Sequence, residues 1–219
     1  GKLSIKIDSG DTQHEINLNR SETKSKFYTE GIESRRSNGA IEKAQYIAAY
    51  DFTEEKKIIY GTELKTEEMQ SEGALSSRDQ LSIFSELQAS FSENIFLTVG
   101  SRFDDNEDYG KHVSSRVSLA YIQEAGETTV KYRTSMGNGF RAPSLYELNY
   151  NENYGTGDAA TIELNEEKSQ GADIGMDVFL PNNAEFSLVY FNQEVSDQIE
   201  FDLAAYSGYL QVPGKSTSR

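Results

Sequence analysis

The sequence has no cysteine and no tryptophan, and it has only three prolines and two histidines among 219 residues. Without cysteine, the chain can form neither a disulfide framework, nor a cysteine-ligated zinc site, nor a thiol nucleophile. The two histidines, His14 and His112, are far apart, and neither lies in a nucleophile motif. No catalytic constellation emerges, so we predict that the chain is not an enzyme.

Basic residues are also scarce. The chain has 36 acidic residues against 21 lysines and arginines, which gives a formal net charge of −15. A protein of this sign repels a phosphate backbone, so nucleic acid is not expected as a partner. A cationic ligand or a divalent metal suits this charge better.

Long hydrophobic runs are missing too. No segment approaches the roughly 20 apolar residues of a transmembrane helix. The segment Gly1 to Ile5 is not a basic stretch followed by an apolar core, so we expect no signal peptide in this chain. If the chain crosses a membrane, it does so as part of a closed β-barrel, because only helices and closed barrels satisfy the backbone in lipid.

Tyrosine and phenylalanine, with 13 and 11 residues, are abundant, and both favour strands. Apolar and polar residues alternate with a period of two along most of the chain, as in Ile95, Leu97 and Val99. This alternation predicts strands with one apolar face. We predict ten or eleven strands, ten at about residues 2–8, 12–20, 41–52, 57–68, 78–91, 94–104, 113–124, 128–137, 168–180 and 184–195, and a candidate eleventh at 206–213.

Strand length and connection length both favour a membrane barrel. Many predicted strands reach or exceed the roughly 9–11 residues that cross a bilayer, whereas soluble strands average about 5–6. The predicted short connections are residues 52–56, 92–94, 124–127 and 181–183. The predicted long, polar connections are residues 66–78, 104–112 and 138–168. Outer-membrane barrels have short turns at one end and long loops at the other, so we predict an all-β, antiparallel transmembrane β-barrel.

An acidic cluster lies in the second of these long connections. Carboxylate and amide oxygens are the ligands that calcium prefers, although the spacing departs from that of an EF-hand loop. The alternative is a solvated acidic loop. The candidate calcium ligands are Asp104, Asp105, Asn106 and Asp108.

The third long connection is rich in tyrosine and asparagine, which suits stacking and hydrogen bonding to a ligand. The alternative is a polar loop with interfacial tyrosines, since outer loops are generally polar whatever they bind. The candidate ligand-binding residues are Arg141, Tyr146, Tyr150, Asn151 and Tyr154. Arg141 can equally be a structural residue at the bend from strand to loop.

Residues 137–148, GNGFRAPSLYEL, resemble the Gly-Phe-Arg/Lys-Ala-Pro-x-Leu-x-x-Leu signature of TonB-dependent receptors. Residues 164–169, LNEEKS, are similar to the Leu-x-Pro-Glu-Lys-Ser motif of that family, with Glu166 in place of the proline. Three other stretches resemble family motifs in the same order, at residues 99–104, 189–199 and 214–219. Within the family, the resemblance is closest to vitamin B12 receptors.

This resemblance implies a 22-stranded barrel around an N-terminal plug. Residues 1–219 are then expected to be a partial barrel domain of about 10 or 11 strands, without the plug, the TonB-contacting segment or the C-terminal strands. It further implies the outer membrane of a Gram-negative bacterium, contact with outer-membrane lipid, and a TonB–ExbB–ExbD complex that energises uptake of a scarce, bulky nutrient. Cobalamin or a ferric siderophore is the expected cargo; haem is disfavoured because neither histidine lies beyond the Phe140 motif.

Two alternatives remain open at this point. An outer-membrane barrel enzyme, such as a protease or phospholipase, can have a similar number of strands. A soluble, secreted β-sandwich that binds a ligand is also compatible with the aromatic, glycine-rich composition.

Overall fold

The structure, a computed structural model, describes residues 1–71 and 74–219. Within these ranges, eleven strands form one antiparallel sheet in which every strand pairs with its neighbours in sequence, with β1 and β11 at the two edges. The all-β class and the strand count are therefore confirmed. The strands are β1 (Lys2–Ser9), β2 (Thr12–Thr29), β3 (Ile32–Thr53), β4 (Lys56–Ser71), β5 (Ala74–Ser92), β6 (Ile95–Asn106), β7 (Gly110–Ala125), β8 (Thr128–Arg141), β9 (Glu167–Phe179), β10 (Glu185–Phe201) and β11 (Tyr209–Ser218).

The only helical elements in the described ranges lie between β8 and β9. They are α1 (Leu145–Tyr154) and a 3₁₀ turn (Gly157–Ala160). None of the described helices has the length and apolar character needed to cross a membrane.

Large apolar side chains from most of the strands lie on one face of the sheet, which we call the apolar face. The register places like residues opposite each other, for example Val99 opposite Val117. These side chains are not covered, since Leu64, Ile83 and Ile174 are 58%, 56% and 61% exposed. A soluble sandwich would bury such a face against a second sheet, so the structure does not support that alternative.

On the opposite face, which we call the polar face, charged side chains form ion pairs within and between strands. The Arg102 guanidinium bridges Glu63 on β4 and Asp104 on β6, at 2.8 Å from each carboxylate. Ser82 on β5 is fully buried and donates to Asp104. Ion pairing and hydrogen bonding of this kind offset the desolvation cost of partly buried charges.

Two of the three predicted long connections are wrong. β4 continues to Ser71 and β5 begins at Ala74, so the predicted link 66–78 is almost entirely strand, with residues 72 and 73 outside the described part. β6 reaches Asn106 and β7 begins at Gly110, so most of the link 104–112 is strand as well. The third predicted connection, residues 138–168, is confirmed in part. Residues 142–166 form a long connection at the end of the sheet where the β6–β7 turn also lies.

The strands β2 and β3 also extend through residues 21–40, which the alternation had left unassigned. Their pairing continues there, for example between Lys24 and Asn38. Both faces of this extension are polar, as in the run Arg20 to Lys26. Hydrophobic periodicity exists only where one face of a strand meets an apolar environment, so the pattern ends where the apolar face ends.

Candidate functional site

The connection between β8 and β9, residues 142–166, folds over the polar face and forms the candidate site; we call it the inward connection. Its helix α1 contacts β4 and β5 on one side and β11 on the other. The connection therefore reaches across several strands from its root on β8, instead of projecting away from the sheet.

A capping box starts α1. The backbone N–H of Glu147 donates to Ser144 Oγ at 3.2 Å, and the backbone N–H of Ser144 donates to Glu147 Oε2 at 2.6 Å. This reciprocal pair satisfies two otherwise unpaired donors at the helix N-terminus. The prediction of a polar loop rich in tyrosine and asparagine is therefore wrong for residues 145–154, which form a helix. The Ser-x-x-Glu spacing at Ser144 is the signal that identifies the helix.

Arg78, which the sequence analysis did not single out, anchors the start of the inward connection to β5. Its side chain is 4% exposed, and its Nη1 donates to the carbonyl oxygen of Pro143 at 2.9 Å. It also pairs with Glu67 on β4. On its other side, the guanidinium carbon lies 5.6 Å from the centre of the Tyr109 ring, in the β6–β7 turn. Arg78 therefore joins three strand ends to the connection.

Arg141 anchors the connection at its root. Its Nε and Nη2 donate to the two carboxylate oxygens of Glu167 at 2.7 and 2.8 Å, and its Nη1 lies 3.1 Å from Glu147 Oε2. The same Glu167 carboxylate accepts a hydrogen bond from the backbone N–H of Ile199 at 2.7 Å. This geometry is that of a structural residue, whereas ligand binding by Arg141 stays a prediction.

Asn151 joins α1 to β11. Its Nδ2 donates to the carbonyl oxygen of Tyr209, and its Oδ1 accepts the backbone N–H of Tyr209, both at 2.7 Å. The preceding Gly208 has a φ of +135°, and a Cβ there would lie 2.6 Å from Asn151 Oδ1. The Asn151 amide thus hydrogen-bonds to the Tyr209 backbone as a neighbouring strand would, and these two bonds hold α1 against the edge of the sheet.

The three predicted tyrosines are brought together with three further rings. Tyr150 lies at the centre, with ring centroids 5.4 Å from Phe201 and 5.7 Å from Tyr209, at interplanar angles of 81° and 90°. Edge-to-face geometry of this kind is favourable between aromatic rings. We call this group the aromatic cluster, and it consists of Tyr146, Tyr150, Tyr154, Phe201, Tyr206 and Tyr209.

The connection between β10 and β11, residues 202–208, borders the aromatic cluster. Ser207 Oγ donates to Asp202 Oδ2 at 2.7 Å, and the backbone amides of Ala205 and Ala204 donate to Oδ1 at 3.1 and 3.0 Å. These hydrogen bonds hold the pKa of Asp202 below its usual value. The carboxylate therefore organises the loop that presents Tyr206, whose ring contacts Phe201 and which is 70% exposed.

The acidic cluster near the β6–β7 turn does not converge on one point. Asp104 faces Arg102 on the polar face, and Asp105 follows it on a strand that points successive side chains to opposite faces. Asn106 Oδ1 accepts the backbone N–H groups of Asp108 and Tyr109. Within residues 1–71 and 74–219, no three His, Cys, Asp or Glu side chains are grouped to hold a metal ion. Calcium binding at this turn stays a prediction.

Comparisons with known proteins identify the family of this chain. A family model described as TonB dependent receptor-like, beta-barrel matches residues 8–219. The vitamin B12 transporter BtuB of Vibrio cholerae serotype O1 is 27% identical over 122 residues, which are 55% of this chain and 18% of that protein.

Solved structures show the same fold. The siderophore receptor PirA from Pseudomonas aeruginosa has a TM-score of 0.79 at 17% identity, covering 99% of this chain and 44% of that one. The copper transporter OprC has a TM-score of 0.69 at 11% identity, covering 99% and 41%. The chain thus spans less than half the length of these receptors, and its eleven strands correspond to part of a larger barrel. The chain belongs to the TonB-dependent receptor-like β-barrel family.

Proposed function

We propose that the protein to which this chain belongs is an outer-membrane transporter of a Gram-negative bacterium. It captures a scarce, bulky nutrient, either cobalamin or a ferric siderophore, and the TonB–ExbB–ExbD complex energises its uptake. This chain forms part of the barrel wall and part of the outer mouth. The proposal is supported by family membership, by the sequence similarity to a vitamin B12 transporter and by the structural similarity to siderophore receptors.

The observation that carries the proposal is the pairing of an exposed apolar face with a polar face that a long connection covers. On β6, the apolar face runs from Ile95 to Phe103. At about 3.4 Å per residue, this stretch is about 27 Å long along the strand, and it has the roughly 9–11 residues with which a tilted strand crosses a bilayer. Lipid then covers the apolar face, and the polar face lines the lumen.

The proposed action is binding and gating without bond chemistry, so the protein is not an enzyme. The aromatic cluster supplies stacking surfaces and hydroxyl groups at the mouth, where Tyr146, Tyr150 and Tyr154 contact the cargo. Asn151 and Arg141 fix the position of the helix that carries them. Selectivity is then a matter of contacts on a positioned surface.

Uptake in cells tests the proposal. The full-length receptor is expressed in a Gram-negative strain that lacks its own cobalamin and siderophore receptors, with and without a functional TonB gene. We expect accumulation of radiolabelled cyanocobalamin or of a 55Fe-labelled siderophore only when both the receptor and TonB are present. Accumulation that persists without TonB, or recovery of the receptor in the soluble fraction without detergent, would overturn the proposal.

A further inference from the structure

The inward connection and the neighbouring β10–β11 segment carry charge of one sign. Residues 142–166 contain no lysine, arginine or histidine, and residues 197–208 contain none either. Their acidic residues are Glu147, Glu152, Asp158, Glu163, Glu166, Asp197, Glu200 and Asp202. Both segments therefore carry only negative side-chain charge.

Nearby cations are already engaged. Arg141 pairs with Glu147 and Glu167, and Lys168 lies 3.3 Å from Glu166. By contrast, Glu152 is exposed on α1, and Asp158 is exposed on the 3₁₀ turn, whose Ala159 lies beside Gly208 in the segment that carries Tyr206. Acidic side chains therefore outnumber basic ones on the segments that border the aromatic cluster.

The aromatic cluster offers an aromatic contact surface beside these acidic segments. Tyr206 and Leu203 are 70% and 73% exposed, although the loop that holds them is fixed by hydrogen bonds to Asp202. An ordered loop that displays an aromatic ring and a leucine can bind an apolar, unsaturated surface without a large entropic cost. Contact area and charge sign together specify the chemical class of the ligand.

We infer that this mouth selects a bulky ligand that is uncharged or cationic, and that presents a flat unsaturated surface to Tyr206 and Leu203. It rejects polyanionic ferric complexes. The inference rests on the proposed function and narrows it: a ferric tris-catecholate carries a triple negative charge, whereas a ferric tris-hydroxamate and cyanocobalamin carry no net charge. Each exposed carboxylate repels the first of these and leaves the other two almost unaffected.

Direct binding to the full-length receptor in detergent tests the inference with three probes. Isothermal titration calorimetry is carried out with cyanocobalamin, a ferric tris-hydroxamate and a ferric tris-catecholate at matched ionic strength. We expect an uncharged probe to bind at least about tenfold more tightly than the tris-catecholate, which corresponds to roughly 1.4 kcal/mol. Tightest binding of the tris-catecholate overturns this inference while supporting the proposed function. Binding of none of the three overturns both.

Matched variants separate charge from stacking. Asp158→Lys, in the exposed 3₁₀ turn beside the 202–208 loop, is expected to tighten the binding of the tris-catecholate by about two- to fivefold and to leave cyanocobalamin unchanged, and higher salt should reduce the gain. Glu127→Lys, in the exposed turn at the opposite end of the sheet, makes the same charge change far from the mouth and is expected to have no effect. If both variants act equally, the local charge of the mouth does not select the ligand.

The ring of Tyr206 is tested in the same way. Tyr206→Ala is expected to weaken binding of the preferred uncharged probe by about two- to tenfold through loss of the aromatic contact, whereas Tyr206→Phe keeps the ring and the affinity. Because the side chain is exposed, neither change should impair folding, and circular dichroism checks this point. Equal affinity of Tyr206→Ala and wild type would overturn the assigned contact.

Discussion

Replacing Arg78 by methionine should release the inward connection from the barrel wall. The change removes the donor to the Pro143 carbonyl oxygen and the partner of Glu67. Breaking a buried ion pair costs about 3–5 kcal/mol. Glu67 keeps a hydrogen bond from Lys65 at 2.9 Å and is 20% exposed, so we place the cost at or just below the lower limit of this range, at about 2–3 kcal/mol.

This cost falls on local opening of the connection and not on unfolding of the barrel, because the strand pairing of β5 does not depend on the Arg78 side chain. A loss of about 2–3 kcal/mol raises the open population by roughly 30- to 150-fold. Hydrogen–deuterium exchange of the full-length receptor reports this change as faster exchange in peptides that cover residues 143–156. Peptides from β9 and β10 should keep their protection.

Arg116→Met is the matched control, since Arg116 lies on β7 and is exposed. It removes the same functional group without touching the connection, and it should leave the exchange of residues 143–156 unchanged. Arg78→Lys should give an intermediate result, because an ammonium group cannot reproduce the fork geometry of a guanidinium. Equal exchange in Arg78→Met and Arg116→Met would refute the reasoning that Arg78 anchors the connection.

Three further predictions concern the neighbouring contacts. Asn151→Ala removes both hydrogen bonds to the Tyr209 backbone and should destabilise the connection by about 1–3 kcal/mol, seen as faster limited proteolysis between residues 142 and 166; unchanged proteolysis would contradict this role. Gly208→Ala should have a similar effect on proteolysis, because a Cβ there would clash with Asn151 at a φ of +135°. The hydrogen bonds that lower the pKa of Asp202 stabilise the 202–208 loop fully at a pH above the unfolded pKa of about 3.9, and this stabilisation is lost as the pH falls through the lower pKa of the folded state. Hydrogen exchange of the loop amides, corrected for its intrinsic pH dependence, should therefore rise at that pH in wild type but not in Asp202→Asn.

Calcium binding at the acidic turn is the remaining prediction. Calorimetry of the full-length receptor at millimolar calcium should detect uptake if Asp104, Asp105, Asn106 and Asp108 rearrange to converge on one ion. Asp108→Asn should then weaken it. The absence of any heat at that concentration would remove calcium from the account of this turn.

The strands were predictable because lipid-facing and lumen-facing positions alternate in the sequence. The segments Ile95–Asn106 and Glu185–Phe201 begin within one residue of their predicted starts. The prediction failed where both strand faces are polar, as in residues 21–40. There, pairing with the neighbouring strand alone maintains the sheet, and pairing leaves no periodic pattern in the sequence.

The candidate site was predictable in its composition but not in its geometry. Tyr146, Tyr150 and Tyr154 could be singled out as a group because they recur every four residues. Their partners Phe201 and Tyr209 lie 47 to 63 residues further along the chain, and their proximity depends on the pairing of β10 with β11. No local pattern carries that information, and for the same reason Arg78 could not be distinguished from other strand arginines.

The anchors set a limit on how the mouth can respond to a ligand. Arg78, Arg141 and Asn151 tie the inward connection to β5, to the end of β8 and to β11, so displacing it breaks contacts at three separate places. A ligand can shift this equilibrium only by its difference in affinity between the two positions. Since each anchor contributes about 1–3 kcal/mol, moving the whole connection costs about 3–9 kcal/mol, a large part of the roughly 8 kcal/mol with which a micromolar ligand binds. We therefore expect capture to occur on the aromatic cluster as it stands, with any adjustment confined to the 202–208 loop and its exposed Tyr206.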